Sequence, residues 1–415
     1  MQRFPRFNRP SLRGNASSSL LGYADGDGST LSLDFTTGVL DPRLTFTRST
    51  TATYIGADGL IKTMAAAPTN DPTKARFDYD PTALTPRGLL IEGSASNYAL
   101  YSNACAGTGW STGGIVTQSS GYATGPDGVA NSATRYQMEY GGVILGKGRF
   151  YYQTTYTTLP HTSSIWMKSN TGSDQTVSLW NTSGTPVSCT VTPQWKRFQS
   201  VSTTGTSLPG YVYVENPSPT SGNIVDILVW GAQLEAGNGA SSYIPTDAST
   251  GNRAQDFATM SSVDSLRFDL YQGTFLLRGT QFKQATPGAY ARTMRLAGST
   301  EPFGFAVDGL TFFGTSRNSL DNTIAETTRT NVLLENFAFG FALNANNATN
   351  TMVVSRNGSS DSANRTNTGP TGTVTALSFN DNSLSTAYAS MALRSVKFWP
   401  VAKTAAELNA LTAGA

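Results

Sequence analysis

Short alternating runs bounded by turn clusters recur along this chain, and they constrain its fold more than any other feature. Leu31-Ser-Leu-Asp-Phe35, Arg76-Phe-Asp-Tyr-Asp80 and Tyr211-Val-Tyr-Val214 alternate at period two, the spacing at which a strand sends successive side chains to opposite faces. Between such runs stand Gly56-Ala-Asp-Gly59, Gly125-Pro-Asp-Gly128 and Asn181-Thr-Ser-Gly-Thr-Pro186, residues that supply the special backbone angles of tight turns. Composition agrees: charged residues are 13% of the 415 and aromatic residues 10%. Threonine, tyrosine and phenylalanine suit pleated, half-buried surfaces, and high aromatic content with little net charge disfavours disorder. The expected fold is all-β, with two β-sandwich (jelly-roll) domains after an extended N-terminal arm and a small β-hairpin region.

Several functions become poor fits. A net charge of +2 is small for a general polyanion binder, so no nucleic-acid partner is expected. No apolar run approaches the ~18 residues of a spanning helix, so no membrane insertion is expected. Met1 to Leu20 lack the apolar stretch of a secretory signal. Cys105 and Cys189 are the only cysteines, too few for a disulfide framework or a multi-cysteine zinc site. Two buried free thiols are the expectation, with a single pairing left open. His161 is the only histidine, which excludes a His-rich metal site and argues against a Ser-His-Asp hydrolase. Its position after Leu159-Pro160 reads as a loop. No cofactor and no metal are expected. Calcium at Asp361 or Asp381 with nearby Asn stays open, although no EF-hand loop is present and the acids are dispersed.

The chain divides into an arm and joint at 1–30, a hairpin-rich segment at 31–100, a sandwich at 101–250 and a second sandwich at 251–415. In the arm, Arg3, Phe4, Arg6, Phe7 and Arg9 interleave with Pro5 and Pro10, which favours extended backbone. Such an arm cannot bury its own phenylalanines. Docking into a groove on another protein, with Phe as anchors and Arg as charge partners, is one reading; a frayed tail is the other. In the hairpin segment, Gly56 to Gly59 turn Thr50-Thr-Ala-Thr-Tyr54 back onto Leu60-Ile-Lys62. At the far end Thr404-Ala-Ala-Glu407 is a capping box that opens a closing helix.

Phe46-Thr-Arg-Ser-Thr-Thr-Ala-Thr-Tyr54, Arg76-Phe-Asp-Tyr-Asp80, Arg87-Gly-Leu-Leu-Ile-Glu92 and Asn97-Tyr-Ala-Leu-Tyr-Ser-Asn103 resemble a segment common in structural proteins of tailed bacteriophages. Trp230-Gly-Ala-Gln-Leu-Glu235, Ser242-Tyr-Ile-Pro-Thr246 and Arg253-Ala-Gln-Asp256 resemble the end of the carbohydrate-binding-module-like sandwich that follows it there. Residues beyond 251 resemble a concanavalin-like or laminin-G-like jelly roll. The resemblance covers about 31–415. It implies a virion appendage of the tail-fibre, head-fibre or spike type, usually a homotrimer, with the arm anchored to capsid, portal or tail proteins and the sandwiches contacting host glycan. A head decoration or collar protein without a ligand is the alternative, and a polysaccharide depolymerase a third.

Sugar sites need an aromatic platform with a few polar groups. Trp110 lies in the glycine-rich Gly107-Thr-Gly-Trp-Ser-Thr-Gly113 and is the best exposed candidate. Tyr136, Tyr140 and Tyr151 cluster around a glycine-rich hairpin as a second platform. Trp166, Trp180 and Trp230 stand in apolar alternating strands and read as core. Glycoside hydrolases pair two carboxylates. Asp78 and Asp80 share a strand face, but Arg76 and Arg87 beside them read as a structural ion-pair cluster. Arg48, Asp78, Arg87 and Glu92 are expected to form a polar network fixing the hairpins, and Gln233 and Glu235 an inter-domain seam. The chain is therefore expected not to be an enzyme.

Overall fold

The structure is a computed structural model. It describes residues 26–414, apart from 156–159, 182–184, 203–209, 262, 264–265, 269–270, 285–290, 299–300, 309–310, 318–323, 331–334, 345–349, 366–373 and 381–389. The arm residues Arg3, Phe4, Arg6, Phe7 and Arg9 lie outside the described residues, as does Asp381.

The chain is all-β, and its two sandwiches are nested in sequence. A two-stranded ladder pairs Ala95–Asn97 with Gly251–Arg253. The middle sandwich therefore leaves and re-enters through neighbouring strands, the arrangement that an inserted domain needs. One of its sheets runs in the order Lys196–Ser202, His161–Ser169, Ile224–Ala236, Ala133–Glu139, Ile115–Ala123. The other runs Val187–Val191, Gln175–Trp180, Gly210–Glu215, Arg149–Thr154, Trp110–Gly113. Phe150, Ile165, Val177, Leu179, Val212, Val214 and Ile227 fill the space between them.

The hairpin-rich stretch that the sequence sets apart is woven into the C-terminal sandwich. Leu31–Asp34 pairs with Ser390–Trp399, which also pairs with Pro86–Ile91 and Gln272–Lys283. Thr45–Thr47 pairs with Phe257–Met260 in the opposing sheet. The reason is burial. Leu31, Leu33, Phe35, Phe46, Leu89 and Ile91 share one core with Phe275, Phe305, Phe339 and Phe398, and a hairpin region alone offers too little surface to cover them. Gly88, in the left-handed region, lies where a Cβ would collide with the Leu393 carbonyl, so the strand approach itself requires glycine.

Ala52–Ile55 and Ile61–Met64 form the expected hairpin. The closing helix Ala405–Thr412 carries the capping box of Thr404 and Glu407. His161 differs from expectation: it opens the strand His161–Ser169 and is fully buried, because that strand is flanked on both sides in its sheet. Cys105 and Cys189 are free and buried; burial pushes their thiols up to about 12 and about 11.

Candidate functional site

Strand parity builds an aromatic ledge on the outer face of the middle sandwich. In Arg149–Thr154, Phe150 and Tyr152 point into the core, which turns Tyr151 outward. Val212 and Val214 do the same for Tyr213, and Val177 and Leu179 for Trp180. The register sets Tyr151 directly opposite Tyr213, and Tyr213 opposite Trp180. Ring centroids lie 5.6 Å apart for the tyrosine pair, stacked at 28°, and 6.2 Å apart for Trp180 and Tyr213, edge to face. All three rings are half-buried. The row crosses three strands, so it extends about 10 Å.

Polar groups frame the ledge. The Tyr213 hydroxyl donates to Glu215 Oε2 at 3.1 Å, and Lys147 Nζ donates to Glu215 Oε1 at 3.0 Å. Burial and the Glu215 carboxylate push the Tyr213 phenol up to about 12, so it remains a hydrogen-bond donor at neutral pH. Arg149 shares the outward face with Tyr151, and its Nη1 donates to the Lys147 carbonyl at 3.3 Å. Ser111 stands across the ladder from Tyr151. The result is an apolar ledge of two stacked rings and a third set edge-on, with hydroxyl, carboxylate and guanidinium groups within reach, the combination of aromatic surface and polar groups that sugar recognition uses.

The structure keeps one of the four sequence candidates on a platform. Tyr151 is on the ledge. Tyr136 is a correction: it is 0% exposed, stacked on Phe150 at 4.0 Å, with its hydroxyl bound to the Cys105 carbonyl at 2.8 Å. Parity turns it inward on Ala133–Glu139. Trp110 packs against Phe150 and Tyr152 and donates its indole N–H to the Leu100 carbonyl at 2.8 Å, so it pins the sheet edge. Tyr140 is half-buried in an isolated bridge to Lys147, beside the ledge's polar frame and outside its row of rings. Two ledge rings lie outside the sequence candidates: Trp180, read as core, and Tyr213; Thr176 and Ser178 at the parity of Trp180, and the alternation Tyr211-Val-Tyr-Val214, were the available signal.

A seam of buried ions fixes the two sandwiches against each other. Arg76 binds both Glu92, at 2.9 Å, and Asp256; Arg48 binds Asp256 at 3.0 Å. Arg253 approaches Glu92 at 3.3 Å, and Ser242 donates its amide to the same carboxylate at 2.8 Å. Burial pushes Glu92 up, but Arg253, Arg76 and Ser242 outweigh it and hold the carboxyl at about 2. Glu235 binds Lys283 at 2.7 Å and the Ser241 amide at 2.8 Å, and accepts from Gln233. Apart from Ser241 and Lys283 these residues belong to the motifs singled out in the sequence; of the network expected there, Arg48 and Glu92 join this seam through Asp256 and Arg76, whereas Asp78 and Arg87 pair with each other. Among the described residues no group of three or more His, Cys, Asp or Glu could hold a metal ion.

Beside the seam, a cleft of about 540 Å³ opens where the hairpin, the middle sandwich and Pro86–Ile91 meet. Tyr54, Leu90, Trp166, Trp195 and Phe282 wall it. Asp78 faces it, with Oδ1 accepting the Ile55 amide at 2.8 Å and Oδ2 lying 3.4 Å from Arg87. Burial pushes Asp78 up to about 6 despite those contacts. Asp80, bound to Arg87 at 2.8 Å and to the Thr82 and Ala83 amides, is held low against the upward push of burial.

No protein-family model matches this chain, and no curated protein matches it. Solved structures align only loosely. A botulinum neurotoxin type G receptor binding domain aligns at 7% identity and TM-score 0.27, over 42% of this chain and 40% of its own. A Trypanosoma rangeli sialidase aligns at 8% and 0.28, over 68% and 50%. The chain thus spans about half or less of the length of these structures. Alignments this loose carry no argument; fold and site rest on the chain's own sheets and side chains.

Proposed function

We propose that this chain is a glycan-binding attachment protein of a tailed-bacteriophage virion, and that its middle sandwich binds sugar on the Tyr151–Tyr213–Trp180 ledge. The observation that carries the binding reading is the ledge itself: three outward rings on adjacent strands, beside Glu215, Lys147 and Arg149. Three neighbouring large rings turned away from the core form an aromatic surface of the kind that sugar rings pack on. The virion setting rests on the sequence resemblance, and the motif residues behind it meet in the buried seam. That seam suits an appendage that presents its sandwiches in a fixed mutual orientation. On this reading the N-terminal arm attaches to capsid, portal or tail proteins, the chain self-associates as a trimer, and no bond is made or broken. The seam carboxylates Glu92, Glu235 and Asp256 are committed to internal cations and amides, which supports binding over turnover.

A glycan array probed with the full chain tests this directly. Binding to host-surface oligosaccharides that Trp180→Ala removes is the expected result. No binding to any glycan would favour the ligand-free decoration or collar protein, and release of reducing sugar would favour the depolymerase.

A further inference from the structure

We propose that the aliphatic knob Val143-Ile144-Leu145 of one copy seats in the Trp195-walled cleft of a second copy, joining chains head to tail. The knob is the one-turn helix Gly142–Leu145 between Ala133–Glu139 and Arg149–Thr154. Val143 is 97% exposed, Ile144 95% and Leu145 56%, with Ile224 at 51% beside them. It is a formed element: the Gly141 amide donates to the Gly146 carbonyl and the Gly146 amide to the Gly142 carbonyl, each at 2.9 Å. Contiguous aliphatic side chains held into water mark an interaction surface.

The occupant follows from shape and charge. A convex apolar tip needs a concave apolar partner or a lipid surface. Interfacial binding favours free basic residues beside the apolar tip, and Lys147, the cation next to this knob, is already bound to Glu215 at 3.0 Å. The chain itself carries a fitting recess. A cleft of about 540 Å³ lies within the ~300–1,000 Å³ that holds a drug-sized apolar group. Of its charges, Arg87 is bound to Asp78 and Asp80, Glu92 to Arg76 and Arg253, Arg197 donates to Ser164 and the Ser241 carbonyl, and Lys196 is exposed. Aliphatic carbon seated there leaves every carboxylate of the cleft paired.

Placement excludes self-filling. Ile224, at the knob, opens the long strand Ile224–Ala236, whereas Trp230 on that strand pairs with the cleft residue Trp166. Six residues of strand separate the two ends by about 20 Å. A knob at one end and a recess at the other make a heterologous interface, which closes into a ring, here the trimer proposed above, or propagates.

Sedimentation equilibrium of the full chain tests the proposal. Wild type should show a mass that rises with concentration. Ile144→Asp should stay monomeric over the same range, with an unchanged circular dichroism spectrum. Thr82→Arg and Gln194→Arg, at the cleft mouth, should do the same, the second guarding against a folding defect in the first. Mixing Ile144→Asp with either cleft variant should restore a dimer and nothing larger, because one intact knob and one intact cleft remain. The proposal is overturned by a monomeric wild type, by cleft variants that assemble like wild type, by a mixture that stays monomeric, or by a monomer that sediments with anionic phospholipid vesicles through Ile144.

Discussion

Arg76 holds Glu92 and Asp256 with a single guanidinium, and all three side chains have no exposed surface. Asp256 lies 180 positions along the chain from Arg76, on the far side of the inserted sandwich. One cation thus ties together the segments that flank the insertion on either side. Arg76→Met removes the charge and leaves two buried carboxylates under-compensated. The expected loss is about 3–5 kcal/mol of unfolding free energy, read by urea denaturation. A loss below about 1 kcal/mol would mean that the seam is not a structural device.

The same seam sets an acid limit. Glu92 is held at about 2 against an ordinary value of 4.5. Its contribution is therefore complete above pH 4.5 and is lost as the pH falls from 4.5 through 2. Melting temperature should drop across that window, and Glu92→Gln should flatten the drop while lowering stability at neutral pH.

Asp78 has the opposite sign. Burial raises it from 3.8 to about 6, so the folded chain binds the proton more tightly than the unfolded chain. That contribution is complete below pH 3.8 and is lost as the pH rises through 6. Asp78→Asn keeps an acceptor for the Ile55 amide and removes the buried charge. It should stabilise the fold at neutral pH by about 1–2 kcal/mol, because a tenfold change in proton affinity corresponds to ~1.4 kcal/mol and the Arg87 contact is lost in exchange. Near pH ~4, where the native carboxyl is already protonated, the substitution should change little. Equal effects at both pH values would contradict this assignment.

Trp110 separates packing from binding. Its indole is bound to the Leu100 carbonyl and packed on Phe150 and Tyr152. Trp110→Ala should cost about 3–4 kcal/mol, the lower part of the range for truncating a buried Phe or Trp, and leave sugar affinity unchanged. Thermal melts beside sugar titrations of the same variant read both.

The residues themselves announced much of this architecture. Period-two runs and turn clusters announced the strands, and Thr404 and Glu407 announced the closing helix. Gln233 and Glu235 were readable as a seam, because buried polar residues beside an apolar strand demand partners. The distant partners were not readable: Ser241 lies six positions from Glu235, but Lys283 reaches Glu235 from 48 positions away, and in the same seam Asp256 reaches Arg76 from 180, through long-range pairing that no local pattern encodes. For the same reason the hairpin segment looked autonomous, although its strands complete the distant sandwich. The ledge was half readable. Parity around Val177 and Leu179 already places Trp180 outward, but a tryptophan on a strand with apolar residues equally suits a core. Tyr136 failed for the converse reason, since a glycine-rich neighbourhood says nothing about which face a ring takes.

Isothermal titration of host-surface oligosaccharide into wild type and Tyr213→Ala tests the central claim most directly, because Tyr213 is the ring that touches both of its neighbours. The account predicts saturable binding to wild type and a loss of at least about tenfold, ~1.4 kcal/mol, in the variant with its fold intact. Equal affinity in the two proteins would contradict it.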